Sequence, residues 1–142
     1  MVQLTRKVYG MALLACAGLV IAQTAVPKSV QEGAYTTGQA KRGETLSNKE
    51  CANCHGEGLS GGEAAPALNG DGFLSNWNGL TVGDLFDRIR KTMPQDDPSR
   101  LTRQQDADVI AYLLSLNRFP AGKTEMPAQS EVLKGIKIEP AK

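Results

Sequence analysis

A chain of 142 residues with 41% hydrophobic and 5% aromatic residues has room for one domain with a modest core. Sixteen Lys and Arg against fifteen Asp and Glu leave a net charge of +1, which gives no basis for a nucleic-acid or anionic-membrane partner. Three cysteines and a single histidine confine any metal or redox chemistry to very few side chains.

Residues 1–22 read as a secretory signal. Arg6 and Lys7 form a positive start, 11–22 is an uncharged apolar run, and Val20-Ile21-Ala22 ends it with small residues suited to cleavage. The run is shorter than the roughly 20 residues that cross a bilayer. The mature chain is therefore expected in the periplasm without a membrane span. Cleavage fits after Ala22 or after Ala25. Leu13-Leu14-Ala15-Cys16 loosely resembles a lipobox, but too few apolar residues precede Cys16 and the apolar run continues past it. Removal takes Arg6, Lys7 and no acid, leaving fourteen bases against fifteen acids and a net charge of −1. Cys16 leaves too, so the mature chain keeps Cys51, Cys54 and His55 as its only cysteines and histidine.

Residues 23–35 are polar and irregular and read as a flexible arm. A first helix fits 37–50, with Thr36-x-x-Gln39 as a capping box. Ala40, Gly43, Leu46 or Ser47, and Cys51 recur on it at helical spacing. Cys51-Ala52-Asn53-Cys54-His55 follows at its end. C-x-x-C-H is the haem c attachment pattern. Two thiols add to the two vinyl groups as thioethers, and the adjacent imidazole is held beneath the iron. Three other uses of these residues fit less well. A thioredoxin-like pair needs strand–helix–strand patterning, and the flanks are Gly-rich. Zinc needs four ligands, and no further Cys or His exists in the mature chain. A plain disulfide leaves the position of the only His unexplained.

One histidine rules out bis-His ligation within the chain, and the common remaining distal ligand is a Met thioether. The mature chain offers Met93 and Met126. Pro94 disfavours helical geometry at Met93, so the chain should leave a helix there in an extended segment. Met126, in the tail, lacks a preceding amphipathic helix, and core filling is the ordinary use of any Met. Met93 is the expected ligand.

Residues 56–72 are rich in Gly, with Pro66, and read as a loop that approaches a ligand closely. Phe73, Leu74 and Trp77 follow as apolar anchors of a short helix. A helix is expected over 81–92, capped by Thr81-x-x-Asp84, with Leu85, Phe86, Ile89 and Met93 on one face. Residues 95–100 form a polar connector. The last helix is expected over 102–117, capped by Thr102-x-x-Gln105, with Val109, Tyr112, Leu113 and Leu116 as its buried stripe. No segment alternates long enough to require a sheet. The haem domain is thus expected over 36–118, followed by an extension, 119–142, whose Val132, Leu133, Ile136 and Ile138 can pack back.

From the first helix through Cys51-Ala-Asn-Cys54-His55-Gly56 to Asn117, the sequence resembles class I cytochromes c. The resemblance implies a compact all-α fold of three main helices, short helices and Gly-rich loops around one haem c. The first and last helices should cross, with Gly43 and Tyr112 at the crossing. Ala65-Pro66-Ala67-Leu68 is similar to the family's proline loop, which implies that the Pro66 carbonyl accepts a hydrogen bond from His55 Nδ1. Met93 falls at the family's distal-Met position. Phe73-x-x-x-Trp77, Thr81-Val-Gly-Asp-Leu-Phe86, Arg88-Ile-Arg90, Thr92-Met-Pro94 and Ala111 to Gly122 are similar to haem domains of quinohaemoprotein alcohol dehydrogenases. They also resemble small cytochromes that serve quinoprotein dehydrogenases, which use pyrroloquinoline quinone. No β-propeller repeats occur in these 142 residues. The resemblance implies single-electron transfer from such a dehydrogenase to a terminal oxidase or another cytochrome. Trp77, Arg88 and Arg90 are candidates to bond a haem propionate, with Trp77 preferred. The rival reading is a five-coordinate haem protein, a sensor or peroxidase-like enzyme. It requires that neither Met reach the iron.

Overall fold

The computed structural model describes residues 26–140. The expected signal, 1–22, lies outside them. Six helices follow in order: α1 (Thr37–Glu50), α2 (Ala52–His55), α3 (Gly70–Trp77), α4 (Val82–Thr92), α5 (Arg103–Leu116) and α6 (Ser130–Leu133). Among the described residues there is no strand, only two isolated bridges, from Lys137 to Ser29 and to Thr81. The fold is all-α, as expected, and none of the described helices is long and apolar enough to cross a membrane.

Each main helix starts where the sequence offers an oxygen to its unpaired N–H groups. Thr81 and Asp84 cap α4 reciprocally, as do Thr102 and Gln105 at α5. At α1 the box is only half made. Thr36 Oγ1 accepts from Gln39 N at 3.1 Å. The Gln39 side chain turns inward instead, donating to Met126 O at 3.1 Å and accepting from Met126 N at 2.8 Å. A fully buried amide needs both partners, and the tail supplies them.

Helices α1 and α5 cross at Gly43. A Cβ there would lie 1.8 Å from Asp108 O and 2.9 Å from Tyr112 Cβ. Only glycine permits this approach, and the buried positions Ala40, Gly43 and Ser47 form the stripe that faces α5. The core is completed by Leu85, Phe86 and Ile89 of α4 and by Val109, Ile110, Leu113 and Leu114 of α5.

The two terminal segments belong to this core. The reading of 23–35 as a flexible arm is corrected from Lys28 onward, because Val30, Ala34 and Tyr35 are buried. Val30 N donates to Lys137 O at 2.9 Å, and Tyr35 Oη donates to Phe119 O at 2.7 Å. Three scattered apolar residues in a polar stretch carry no periodic signal, so the docking was invisible in the sequence. In the extension, Phe119, Met126, Leu133, Ile136 and Ile138 are buried, while Val132 stays exposed. The backbone of 136–138 pairs with Gly79, Leu80 and Val82, and α6 packs on α4.

Candidate functional site

The C-terminal end of α1 runs into the C-x-x-C-H segment without a break. Cys51 N donates to Ser47 O at 2.9 Å, continuing the helical ladder. Cys51 caps α2, whose single turn carries Cys54 and His55. Cys51 is half-buried and Cys54 is exposed. Burial pushes the Cys51 thiol up to about 11.

His55 is buried, and its Nδ1 lies 2.7 Å from Pro66 O. A carbonyl only accepts, so Nδ1 carries the proton, and in the neutral imidazole the lone pair is on Nε2. The loop that brings Pro66 back to His55 is tightly folded. Gly61 N donates to His55 O at 2.7 Å, and Leu68 N donates to Leu59 O at 2.9 Å. Gly56 has φ +79°, and a Cβ there would lie 2.6 Å from Gly61 O. The Gly-rich composition is thus spent on folding the loop upon itself.

Met93 N still closes the α4 ladder on Ile89 O at 2.8 Å, but its own backbone is extended, with φ −131° and ψ 144°. Its side chain is half-buried against the core. So are those of Leu68, Leu74 and Trp77. Trp77 tilts against Phe73 with ring centroids 6.5 Å apart. Met126, by contrast, is fully buried, its backbone pinned by Gln39 at the start of α1. Arg88 is exposed. Arg90 is committed to Leu101 and Asp106.

Asn117 was not singled out from the sequence. Its Nδ2 donates to Leu68 O at 3.0 Å and to Leu113 O at 2.8 Å. It thereby fastens the proline loop to the end of α5. Nothing in the sequence signals this beyond an Asn at a helix C-terminus.

Residues 38–113 match the family described as cytochrome c oxidase, cbb3-type, subunit III. The chain belongs to this family of c-type cytochromes. It is 32% identical over 92 residues to a cbb3-type cytochrome c oxidase subunit CcoP of Azospirillum brasilense, a match covering 54% of this chain and 30% of the relative. The corresponding subunit of Azospirillum sp. (strain B510) is 33% identical over 91 residues, covering 53% of this chain and 30% of the relative. The chain thus matches under a third of the length of either relative. Among solved structures, the sulfane dehydrogenase SoxCD from Paracoccus pantotrophus matches with a TM-score of 0.46 and 22% identity, covering 72% of this chain and 61% of that one.

Membership of this family implies covalently attached haem c as the cofactor, and Cys51 and Cys54 have the spacing of the attachment motif. The residues present fit that group. Two cysteine side chains lie at the cap and in the single turn of α2, beside an imidazole whose Nδ1 is held by Pro66 O.

Proposed function

We propose that the mature chain is a periplasmic carrier of single electrons, in which His55 and Met93 would hold the iron of one haem. When bound, haem c supplies an iron that accepts and returns one electron, at a potential raised by imidazole and thioether ligation. The chain's own residues do the rest. Cys51 and Cys54 anchor the group, and His55 presents Nε2. The Pro66 carbonyl holds the imidazole tautomer and orientation through Nδ1. Met93 would offer its thioether from the extended segment after α4, and Trp77 would border the group. With His55 and Met93 both holding the iron, no position would be left for substrate, which supports carrier over sensor or peroxidase. Exchange then proceeds through brief encounters at a small interface.

The His55 Nδ1–Pro66 O bond carries this reading, since it fixes one ring nitrogen and frees the other. The donor reading, a quinoprotein dehydrogenase, is supported by the sequence resemblance around Trp77, Met93 and Phe119. The acceptor reading, a terminal oxidase, is supported by the likeness to cbb3-type oxidase subunits.

The test is Met93→Ala in protein exported with the cytochrome c maturation machinery. One haem should remain attached, the reduction potential should fall, and the reduced protein should bind carbon monoxide. A variant that keeps the weak far-red band of thioether ligation refutes the ligand assignment. Stopped-flow reduction by a quinoprotein dehydrogenase, followed by oxidation with a cbb3-type oxidase, tests the direction of flow.

A further inference from the structure

The segment that carries Met93 leaves the end of α4 and runs to Leu101, two residues before α5. We propose that Arg90 and Asp106 are positioning residues that clamp the base of this loop and so hold Met93 in place. The inference rests on Met93 being the distal ligand.

Arg90 Nη1 donates to Leu101 O at 2.9 Å and to Asp106 Oδ2 at 2.8 Å. One guanidinium nitrogen therefore joins the last turn of α4, the far end of the loop and the first turn of α5. Arg90 lies three residues before Met93, and the carbonyl it grips lies eight residues after it. Both ends of the Met93 segment are tied to one side chain.

Stability alone is a poor account of this pair. Asp106 is 1% exposed, and its Oδ1 has no partner among the described residues. A buried carboxylate satisfied on one oxygen is commonly matched in stability by apolar residues of similar volume. What Arg adds is direction, because its planar fork fixes the angle between its acceptors. Direction matters here because a neutral thioether is a weak ligand. The outer side of the loop is held more loosely. There Arg100 donates to Glu50 Oε2 at 3.2 Å and to Asp96 Oδ2 at 2.5 Å. Those pairs are exposed on the arginine side and open to salt.

Asp108 provides an internal control. It lies two residues along α5, is buried likewise, and accepts from Arg42 Nε at 2.9 Å and Nη2 at 3.1 Å. That pair ties α5 to α1 rather than to the loop.

The experiment compares holoproteins carrying Arg90→Met, Arg90→Lys, Asp106→Asn, Arg42→Met and Met93→Ala. The readouts are the far-red band, the reduction potential, carbon monoxide affinity of the reduced form, and thermal unfolding. Apparent affinity for carbon monoxide follows the fraction of time Met93 is displaced, so Arg90→Met and Asp106→Asn should tighten it about tenfold or more. Both should weaken the far-red band, and Arg90→Lys should recover part of it. Arg42→Met should lose stability with band and affinity unchanged. The proposal is overturned if Arg90→Met keeps the parent's band and affinity. It is equally overturned if Arg42→Met matches the spectral change of Arg90→Met, because general loosening then suffices. Should Arg90→Met fail to fold, Asp106→Asn and Arg90→Lys, which preserve shape, decide by the same readouts. A far-red band retained in Met93→Ala removes the ligand assignment itself. Its loss there, with Arg90→Met and Asp106→Asn unchanged, removes only the positioning role.

Discussion

Replacing Gly43 with alanine inserts one methyl group where α1 meets α5. The new Cβ would lie 1.8 Å from Asp108 O and 2.5 Å from Asp108 C, against 3.4 Å for ordinary contact. The helices must separate by about 1.6 Å at this point, since both obstructing atoms are backbone and no rotamer change relieves them. Overpacking of this kind costs about 3 kcal/mol. Alanine returns about 1 kcal/mol through its better helix propensity. The net loss is about 2 kcal/mol, or about 8 °C in Tm for a domain of this size. Thermal unfolding of the holoprotein, followed by far-ultraviolet circular dichroism, measures it. The reasoning also demands that Gly38→Ala, where the nearest atom, Thr36 Oγ1, is 3.9 Å away, be neutral or stabilising. A Gly43→Ala protein that melts within about 2 °C of the parent would refute the tight crossing.

Other outcomes follow from the same packing. Truncation after Arg118 removes five side chains, Phe119, Met126, Leu133, Ile136 and Ile138, that are 0–6% exposed. At about 1.5–3 kcal/mol each, their loss is comparable to a domain's whole net stability, so the truncated chain should not fold; a cooperative melt would contradict this. Met126→Ala should cost about 2–5 kcal/mol in chemical denaturation while leaving the visible spectrum unchanged. Asp87 is held below the usual carboxylate range, first by the Ser130 hydroxyl, which donates to it at 2.7 Å, and further by Lys134. Its contribution is complete above the ordinary Asp value of about 3.9 and is lost as pH falls through the lower folded value. Ser130→Ala should therefore destabilise the protein near neutral pH and narrow that gap at low pH. Parallel stability curves for the two proteins would contradict the assignment.

The local layer of this protein was legible from its residues. The span of α1 matches its expected bounds, and α4 and α5 begin one residue after their capping threonines. Capping and amphipathic spacing depend on neighbours within a few residues, so they can be read from the chain. The same holds for the C-x-x-C-H segment, whose spacing is itself the chemical requirement. The break at Met93 is legible too, because Pro94 acts on its immediate neighbour.

What the tertiary structure decided lies between residues far apart in sequence. Gln39 abandons its capping partner for Met126, 87 positions away, because burial demands two bonds for its amide. Val30 and Tyr35 dock on 137 and 119, although their segment has no periodicity. Asn117 grips the proline loop, and Arg90 closes the Met93 loop, through backbone carbonyls that carry no sequence identity. Local preference chose the helices and placed the thiols and imidazole together. Long-range burial, which must satisfy every polar group it encloses, chose how the terminal segments and loops are fastened around them.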